Sequence, residues 1–366
     1  MTICDLAPPY VRGIAPYQPG KPISELAREM GLDEASIIKL ASNENPLGVS
    51  PRARRAIEGM LDGLSRYPDG NGFELKQALC ARYGVAAEQI VLGNGSNDVL
   101  ELAARAFLTP RDSAIYSQHA FAVYPLAVQA VGAEGIEVPA RDFAHDPDAM
   151  RKAVRPNTRL VFIANPNNPT GTMIAGEKLD AFIAAMPREV LIVLDEAYSE
   201  YVPREASYDS LGWLNRYPNL VVTRTFSKVY GLAGLRVGCA YAAPDVADLM
   251  NRVRQPFNVN SVSLAAAAAA LEDADFVRQS VELNSAGMRQ ITEGLSRLGI
   301  EYLRSYGNFV SFKVADAPGV YRSLLRSGVI VRPIASYGMP DYLRVTIGLE
   351  HENARFLDAL RQSLAA

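Results

Sequence analysis

Short, uniformly apolar runs recur through the middle of the chain, and they restrict the possible fold more than any other feature. They are QIVLG (89–93), SAIY (113–116), RLVFIANP (159–166), VLIVLDEAY (190–198), NLVVT (219–223) and RVGCAYA (236–242). Runs without polar alternation are typical of strands buried on both faces of a parallel sheet. Amphipathic stretches between them, such as 96–108 and 176–186, predict helices that cover this sheet. The sequence therefore predicts an α/β fold with a mostly parallel sheet flanked by helices.

The last third of the chain has a different pattern of predicted helices and strands. Residues 261–299 are rich in helix formers and predict one long helix, or two that meet near Asp273. Three later apolar runs alternate with helical stretches and predict a smaller α+β unit, which we expect the N-terminal segment through residue 48 to join. They are NFVSFKVA (308–315), GVIVRPI (328–334) and YLRVTIGL (342–349).

The chain has 366 residues, more than one hydrophobic core usually supports. We predict an N-terminal arm of residues 1–50 that is part of the small domain, a large domain of residues 51–255 and a C-terminal small domain of residues 256–366.

Composition excludes several classes of protein. The formal net charge of −3 argues against a nucleic-acid groove. No apolar run is long enough to span a bilayer, and the start MTICDLAPPYV lacks the pattern of a signal peptide, so we expect a cytoplasmic protein without membrane contacts. The three cysteines and three histidines lack metal-binding spacing, so we expect no metal site.

Polar side chains follow several of the predicted strands, at the sheet edge where α/β proteins place functional groups. Asp195 comes directly after a buried run, where a carboxylate is costly unless it meets a cation or a donor. It could cap the next helix, or it could pair with a protonated ring nitrogen such as that of pyridoxal phosphate. Tyr198 could donate to a ring oxygen or be a core tyrosine. Asn168, in the proline-restricted loop 165–171, could reach a ring hydroxyl or a substrate carboxylate.

The stretch GNGSND (93–98) leads from a predicted strand into a predicted helix. Its glycines bring backbone N–H groups close to an anion, and Ser96 and Asn97 stand at the helix start, where the helix dipole favours phosphate. The lysine of a P-loop is missing, and a plain helix cap explains the stretch equally well.

Lys228 lies in TFSKVYGLAGLRVG (225–238), a glycine-rich turn after another strand. It could be a surface lysine, or an amine that forms an imine with an aldehyde cofactor and moves protons when its pKa is lowered. Thr225, Ser227 and Arg236 surround it and could hold a phosphate, the guanidinium with two parallel hydrogen bonds. One aldehyde cofactor with a phosphate, a pyridine nitrogen and a ring hydroxyl accounts for all these groups.

Five stretches together resemble the fold-type I pyridoxal-phosphate transferases. They are TFSKVYGLAGLRVG, DEAY, NPNNPTG, RYPDGNGFELKQAL and YLRVTIG. Within that group the chain is most similar to histidinol-phosphate aminotransferases, and the motifs RYPDG and APYQPGKP narrow the resemblance to this family. The resemblance extends from about Pro16 to the end of the given sequence. The resemblance implies pyridoxal 5'-phosphate as cofactor and reversible transamination between histidinol phosphate and 2-oxoglutarate, giving imidazole-acetol phosphate and glutamate.

The resemblance also implies roles at the cofactor. Lys228 matches the lysine that forms the Schiff base and moves protons, Asp195 matches the partner of the ring nitrogen, and Asn168 and Tyr198 match the ligands of the ring oxygen. Phe121 stands where the family often has a tyrosine stacked on the ring, which keeps the stacking and loses a hydroxyl contact. The residues that match the phosphate ligands are Ser96, Asn97, Ser227 and Arg236, and Thr225 is a further predicted cofactor contact.

Further residues are implied to bind the substrate or the neighbouring subunit. Tyr67 resembles a tyrosine that reaches the cofactor phosphate of the neighbouring subunit, which implies a homodimer with shared active sites. Arg344 matches the arginine that holds the acidic end of the amino acid, and Arg332 matches one associated with phosphate-bearing substrates. Each arginine could instead form a surface salt bridge. The implied substrate contacts are Tyr17, Asn45, Asn168, Arg332 and Arg344.

Three other functions stay open at this point. The same scaffold could transaminate aromatic amino acids, or decarboxylate a phosphorylated amino acid such as threonine phosphate. It could also be a non-catalytic, cofactor-binding regulator, but the sequence shows no helix-turn-helix segment, no basic extension and no missing catalytic position.

Overall fold

The computed structural model describes residues 2–365, and its elements follow the predicted α/β order. The strands are β1 (Ile38–Lys39), β2 (Ile90–Gly93), β3 (Ser113–Ser117), β4 (Glu134–Val138), β5 (Thr158–Ala164), β6 (Leu191–Asp195), β7 (Leu220–Thr225), β8 (Gly238–Ala242), β9 (Phe309–Lys313), β10 (Val329–Ile330), β11 (Arg332–Pro333) and β12 (Tyr342–Thr346). The helices are α1 (Pro9–Arg12), α2 (Ile23–Met30), α3 (Pro51–Gly59), α4 (Phe73–Tyr83), α5 (Ser96–Phe107), α6 (Val123–Ala130), α7 (Pro147–Lys152), α8 (Gly176–Ala185), α9 (Pro244–Arg252), α10 (Ser261–Leu271), α11 (Ala274–Arg297), α12 (Ala317–Arg326) and α13 (Glu350–Ala365).

A seven-stranded sheet forms the centre of the molecule, in the order β2-β8-β7-β6-β5-β3-β4. Only β8 runs against its neighbours, because it pairs antiparallel with both β7 and β2. The predicted α/β fold with a mostly parallel sheet is therefore confirmed, and each of the six apolar runs contains a strand. The sequence analysis missed β4, an edge strand whose Glu134 and Glu137 are exposed, because it has no buried apolar run.

The sheet is covered on both faces, as uniformly apolar strands require. Along β6, Ile192 and Leu194 pack into the hydrophobic cluster on one face, whereas Leu191 and Val193 pack into the cluster on the other. Burial on both faces leaves polar side chains a place only where the strands end. Asp195 is the last residue of this strand.

A smaller unit contains the antiparallel sheet β11-β12-β9 and the parallel pair β1-β10. Ile38 pairs with Val329, and Leu40 packs into the core of this unit, so residues 38–40 of the N-terminal segment contact the small unit. The predicted strand 328–334 is divided between two sheets, because β10 pairs with β1 and β11 pairs with β12.

The predicted long helix is two helices, α10 and α11, that meet at Asp273. This carboxylate accepts a hydrogen bond from the backbone N–H of Phe276 at 3.3 Å and caps α11. The α10 helix packs against α3 and α4 within the core of the large sheet. This packing differs from the predicted domain boundary at residue 255, since α10 lies with the large unit. No helix within residues 2–365 combines the length and the apolar character needed to cross a bilayer.

Candidate active site

A cavity lies where the carboxyl ends of β5, β6 and β7 face the start of α5 and the small unit. Thirteen of the residues predicted for the site line it. They are Tyr17, Ser96, Asn97, Phe121, Asn168, Asp195, Tyr198, Thr225, Ser227, Lys228, Arg236, Arg332 and Arg344. They come from strand ends and loops across the whole chain, so only the folded sheet brings them together.

Asp195 is a buried carboxylate with a full set of protein donors. The Tyr124 hydroxyl donates to Oδ2 at 2.9 Å, while the Thr223 hydroxyl and the Ala197 backbone N–H each donate to Oδ1 at 3.2 Å. Burial raises the pKa of Asp195, and these hydrogen bonds oppose that rise. The Tyr124 ring is stacked on Phe162, with centroids 4.8 Å apart, which holds the donor in place. Such a carboxylate is oriented to pair with a cation that enters the cavity.

Lys228 faces the same cavity from the turn after β7. Its Nζ donates to the Ser42 carbonyl at 3.2 Å and lies 5.7 Å from the centroid of the Tyr198 ring. Burial and, to a smaller extent, the nearby Arg344 guanidinium together lower the pKa of Lys228 to about 8. The amine therefore loses its proton much more easily than a surface lysine, which suits a nucleophile or a base.

The region around Arg236 is shaped to accept an anion. Arg236 has a left-handed backbone with φ of 56°, and its Nη1 donates to the Ser227 hydroxyl at 3.4 Å. The opposite wall is the N-terminus of α5, where the backbone N–H groups of Ser96 and Asn97 have no partner within the helix. Gly95 has a φ of 81°, which favours glycine, and a methyl group there would lie 2.5 Å from Arg236 Nη2.

Two buried arginines occupy the side of the cavity formed by the small unit. Arg332 and Arg344 are cross-strand partners on β11 and β12, and they are only 9% and 5% exposed. Among residues 2–365, no carboxylate lies within 4.0 Å of either guanidinium, and the Arg344 Nε has no hydrogen-bond partner. Like charges directly opposite each other in a sheet repel. An anion between them would relieve that repulsion.

Protein groups hold both guanidiniums in position. Arg344 donates to the Asn168 side-chain oxygen and, at 2.7 Å, to the Ala41 carbonyl. Arg332 donates to the Gln18 carbonyl at 2.6 Å and to the Tyr17 hydroxyl at 3.4 Å. All of these partners are neutral, so the positive charge of the pair is not compensated. The N-terminal arm thus supplies a wall of the cavity, in which Tyr17 lies.

Two predicted site residues do not line the cavity. Asn45 is turned away from it, because its side-chain amide donates to the Val229 carbonyl and the Ser280 hydroxyl, both at 2.8 Å. Its assignment to the substrate is therefore corrected to a structural contact. Tyr67 lies on the surface with 83% exposure and stacks on Phe257 with centroids 4.8 Å apart, outside the cavity of its own chain.

Several further residues line the cavity without having been predicted, and three of them are Asn43, Tyr124 and Tyr337. Asn43 donates to the Tyr198 hydroxyl at 2.8 Å, Tyr124 donates to Asp195, and Tyr337 lines the cavity beside the arginines. Asn43 stands two positions from Asn45 in SNEN, and no pattern tells which asparagine faces inward. Tyr124 lies on α6, three residues after Phe121, and only the packing of that helix on the sheet brings its hydroxyl to Asp195.

A lysine with a lowered pKa, a buried carboxylate and two anion sites at the carboxyl edge of an α/β sheet suit chemistry on amines with acidic substituents. This combination fits an enzyme of the aminotransferase class. The family described as "Aminotransferase class I and II" matches residues 35–360, nearly the whole chain. The chain therefore belongs to the class I and II aminotransferases.

Individual relatives are similar over the full length. The chain is 63% identical to histidinol-phosphate aminotransferase 2 of Nitrosospira multiformis, with 100% of this chain and 93% of the relative covered. It is 63% identical to histidinol-phosphate aminotransferase of Methylobacillus flagellatus, with 98% of each covered. The crystal structure of histidinol-phosphate aminotransferase from Sinorhizobium meliloti in complex with pyridoxal-5'-phosphate has a TM-score of 0.89 and 28% identity, covering 98% of this chain and 97% of that one.

Proposed function

We propose that this enzyme uses pyridoxal 5'-phosphate to transfer an amino group between histidinol phosphate and 2-oxoglutarate. The observation that carries the proposal is the uncompensated pair Arg332 and Arg344, which faces the cavity opposite Lys228 and Asp195. Two adjacent guanidiniums can hold a phosphate or a carboxylate. Both reactants of this transamination carry such an anion, and the similar proteins named above carry this activity in their names.

The residues present fit pyridoxal phosphate. The buried Asp195 suits a protonated ring nitrogen, and Tyr198 with Asn168 suits the ring oxygen. The narrow space at Gly95, the start of α5 and Arg236 suit a phosphate dianion. Phe121 lines the cavity and can lie against the ring, as its place in the sequence predicts. Bound pyridoxal phosphate supplies an aldehyde that condenses with amines and a ring that accepts electrons from the substrate Cα.

The side chains that line the cavity then have different roles in the reaction. Lys228, with its lowered pKa, removes a proton at the substrate Cα and returns it. The three donors to Asp195 favour its anionic form, which would pair with a protonated ring nitrogen. Arg332 and Arg344 bind the acidic end of each reactant and fix the orientation of its Cα.

We infer that the enzyme is a homodimer. Five large apolar side chains are exposed, four of them within residues 61–73 and one stacked on Tyr67, and a second copy would bury them. They are Leu61, Leu64, Tyr67, Phe73 and Phe257. We place the enzyme in the cytoplasm, because its three cysteines are all free thiols, which suits a reducing compartment.

The proposed substrate is tested by a paired kinetic assay. Purified enzyme with added cofactor is compared for kcat/KM with histidinol phosphate, phenylalanine and tyrosine as donors to 2-oxoglutarate. We expect histidinol phosphate to be favoured strongly and Arg332→Leu to reduce that preference, because a guanidinium that binds phosphate is lost. Higher kcat/KM values for the aromatic amino acids would contradict the proposed substrate and leave the lysine chemistry unchanged.

A further inference from the structure

Asn43 joins the catalytic side chains to the small unit. Its backbone is left-handed with φ of 55°, and the residue is only 1% exposed. Its side-chain Nδ2 donates to the Tyr198 hydroxyl at 2.8 Å, and the preceding carbonyl, that of Ser42, accepts from Lys228. A buried non-glycine residue with positive φ is uncommon and is maintained where surrounding contacts determine it.

The contacts that determine this conformation come from the small unit. The Asn43 backbone N–H donates to the Thr346 hydroxyl at 2.9 Å, and that hydroxyl donates to the Asn43 Oδ1 at 3.2 Å. The Asn308 amide donates to the Asn43 carbonyl at 3.0 Å. With its oxygen engaged by Thr346, the amide presents its nitrogen to Tyr198. The direction of the Asn43–Tyr198 hydrogen bond is therefore set by strand β12, which also carries Arg344.

We propose that Asn43 is a positioning residue that makes Tyr198 a hydrogen-bond donor toward the cavity. A hydroxyl group has one proton to donate. Because Asn43 donates to the Tyr198 oxygen, the phenolic proton is free to point to the ring oxygen of the cofactor. This inference rests on the proposed role of Tyr198. It adds that Asn43, a residue outside the DEAY motif, orients the Tyr198 hydroxyl.

The environment of Tyr198 keeps its proton in place. Burial raises the pKa of Tyr198 to about 12, while the Arg344 guanidinium and the Asn43 hydrogen bond oppose the rise. Asp195 and Tyr337 are the other titratable groups that influence this pKa, and Lys228 lies over the ring. The phenol is therefore neutral and able to donate at any pH at which the enzyme works.

Asn43→Asp tests the direction of the hydrogen bond. Aspartate has nearly the same shape and tolerates positive φ, but it accepts where asparagine donates. The phenolic proton would turn to the new carboxylate and away from the cofactor. Asn43→Gly keeps the left-handed backbone and only deletes the amide, so Tyr198 can still donate to the cavity.

The readout is the pH at which the visible absorbance of the holoenzyme's bound cofactor changes. A donor at the ring oxygen stabilises negative charge there and makes the nearby nitrogen less basic, so its loss raises this midpoint. We expect Tyr198→Phe to raise the midpoint by about one pH unit or more. Asn43→Asp should raise the midpoint nearly as much as Tyr198→Phe does, and Asn43→Gly should raise it less. In the Tyr198→Phe background, Asn43→Asp should cause no further rise of the midpoint.

Asn45→Ala is the matched control. This side chain lies in the same segment and is also buried and hydrogen-bonded, but it points away from the cavity. It should lower the melting temperature and leave the midpoint in place. If Tyr198→Phe shifts the midpoint and Asn43→Asp does not, the inference is wrong and the proposed site stands. If Tyr198→Phe itself causes no shift, the proposed role of Tyr198 fails, and the inference fails with it.

Discussion

Burial of Lys228 lowers the stability of the folded protein at neutral pH, and this loss of stability disappears at high pH. Its pKa is lowered from 10.5 to about 8 by burial, whereas it returns to its ordinary value on unfolding. Between these values the unfolded chain binds more protons, so the free energy of unfolding rises with pH across this window. In the cofactor-free protein, we expect the free energy of unfolding of wild type to rise by on the order of 2 kcal/mol relative to that of Lys228→Met between pH 7.5 and pH 10. Denaturant unfolding at several pH values measures this, and parallel curves for the two proteins would contradict the lowered pKa.

Tyr124 acts on Asp195 rather than on the substrate. Removing its hydroxyl leaves Oδ2 without its 2.9 Å donor, and the pKa of the buried carboxyl should rise further. For Tyr124→Phe we expect kcat/KM to fall about tenfold, the loss expected for one hydrogen bond to a charged group. Tyr83→Phe is the control, because that hydroxyl contacts only Tyr230, at 3.4 Å, and it should leave kcat/KM unchanged. Equal effects of the two substitutions would show that Tyr124 is merely structural.

The approach of strand β8 to helix α5 is the contact between elements that forms the proposed phosphate site. A methyl group on Gly238 would lie 2.5 Å from the Ser96 backbone nitrogen, so Gly238→Ala must push the helix start away from the strand. We expect this substitution to cost about 1–3 kcal/mol of stability and to weaken cofactor binding at least tenfold. Thermal unfolding and equilibrium dialysis of the cofactor measure the two effects.

Gly234→Ala is the control for this prediction. It lies in the same turn, has no positive φ and has nothing within 4 Å of the added methyl group. It should bind the cofactor as wild type does. Normal cofactor binding by Gly238→Ala would mean that the phosphate is held elsewhere.

At the scale of the whole molecule, the exposed Tyr67 predicts active sites shared between two chains. Lys228→Ala and Tyr67→Ala should each have little activity as homodimers. A mixed dimer would contain one site with an intact Lys228 and a Tyr67 from its partner. Refolding the two variants together should therefore restore about a quarter of wild-type activity, because half of the dimers are mixed and each has one intact site. Sedimentation of the protein as a monomer, or no recovery on mixing, would exclude a shared site.

Local sequence patterns specify most strands of the large sheet and the polar residues at its edge. Apolar runs such as 159–166 are stable as strands only when both faces are buried. The polar residue that ends such a run, such as Asp195, must then lie at the edge of the sheet. For residues 261–299 the sequence allowed one helix or two, and the structure has two because the Asp273 carboxylate caps α11.

Only the tertiary structure decided the contacts between distant segments. Asn43 and Asn45 are the same residue type two positions apart, and their different roles depend on Thr346 and Ser280, more than 200 residues away. The placement of Tyr124 against Asp195 likewise depends on how α6 packs on the sheet. Local sequence records the propensity and burial of a segment. It does not record which partner a polar group meets across the core, because that depends on the packing of elements that are remote along the chain.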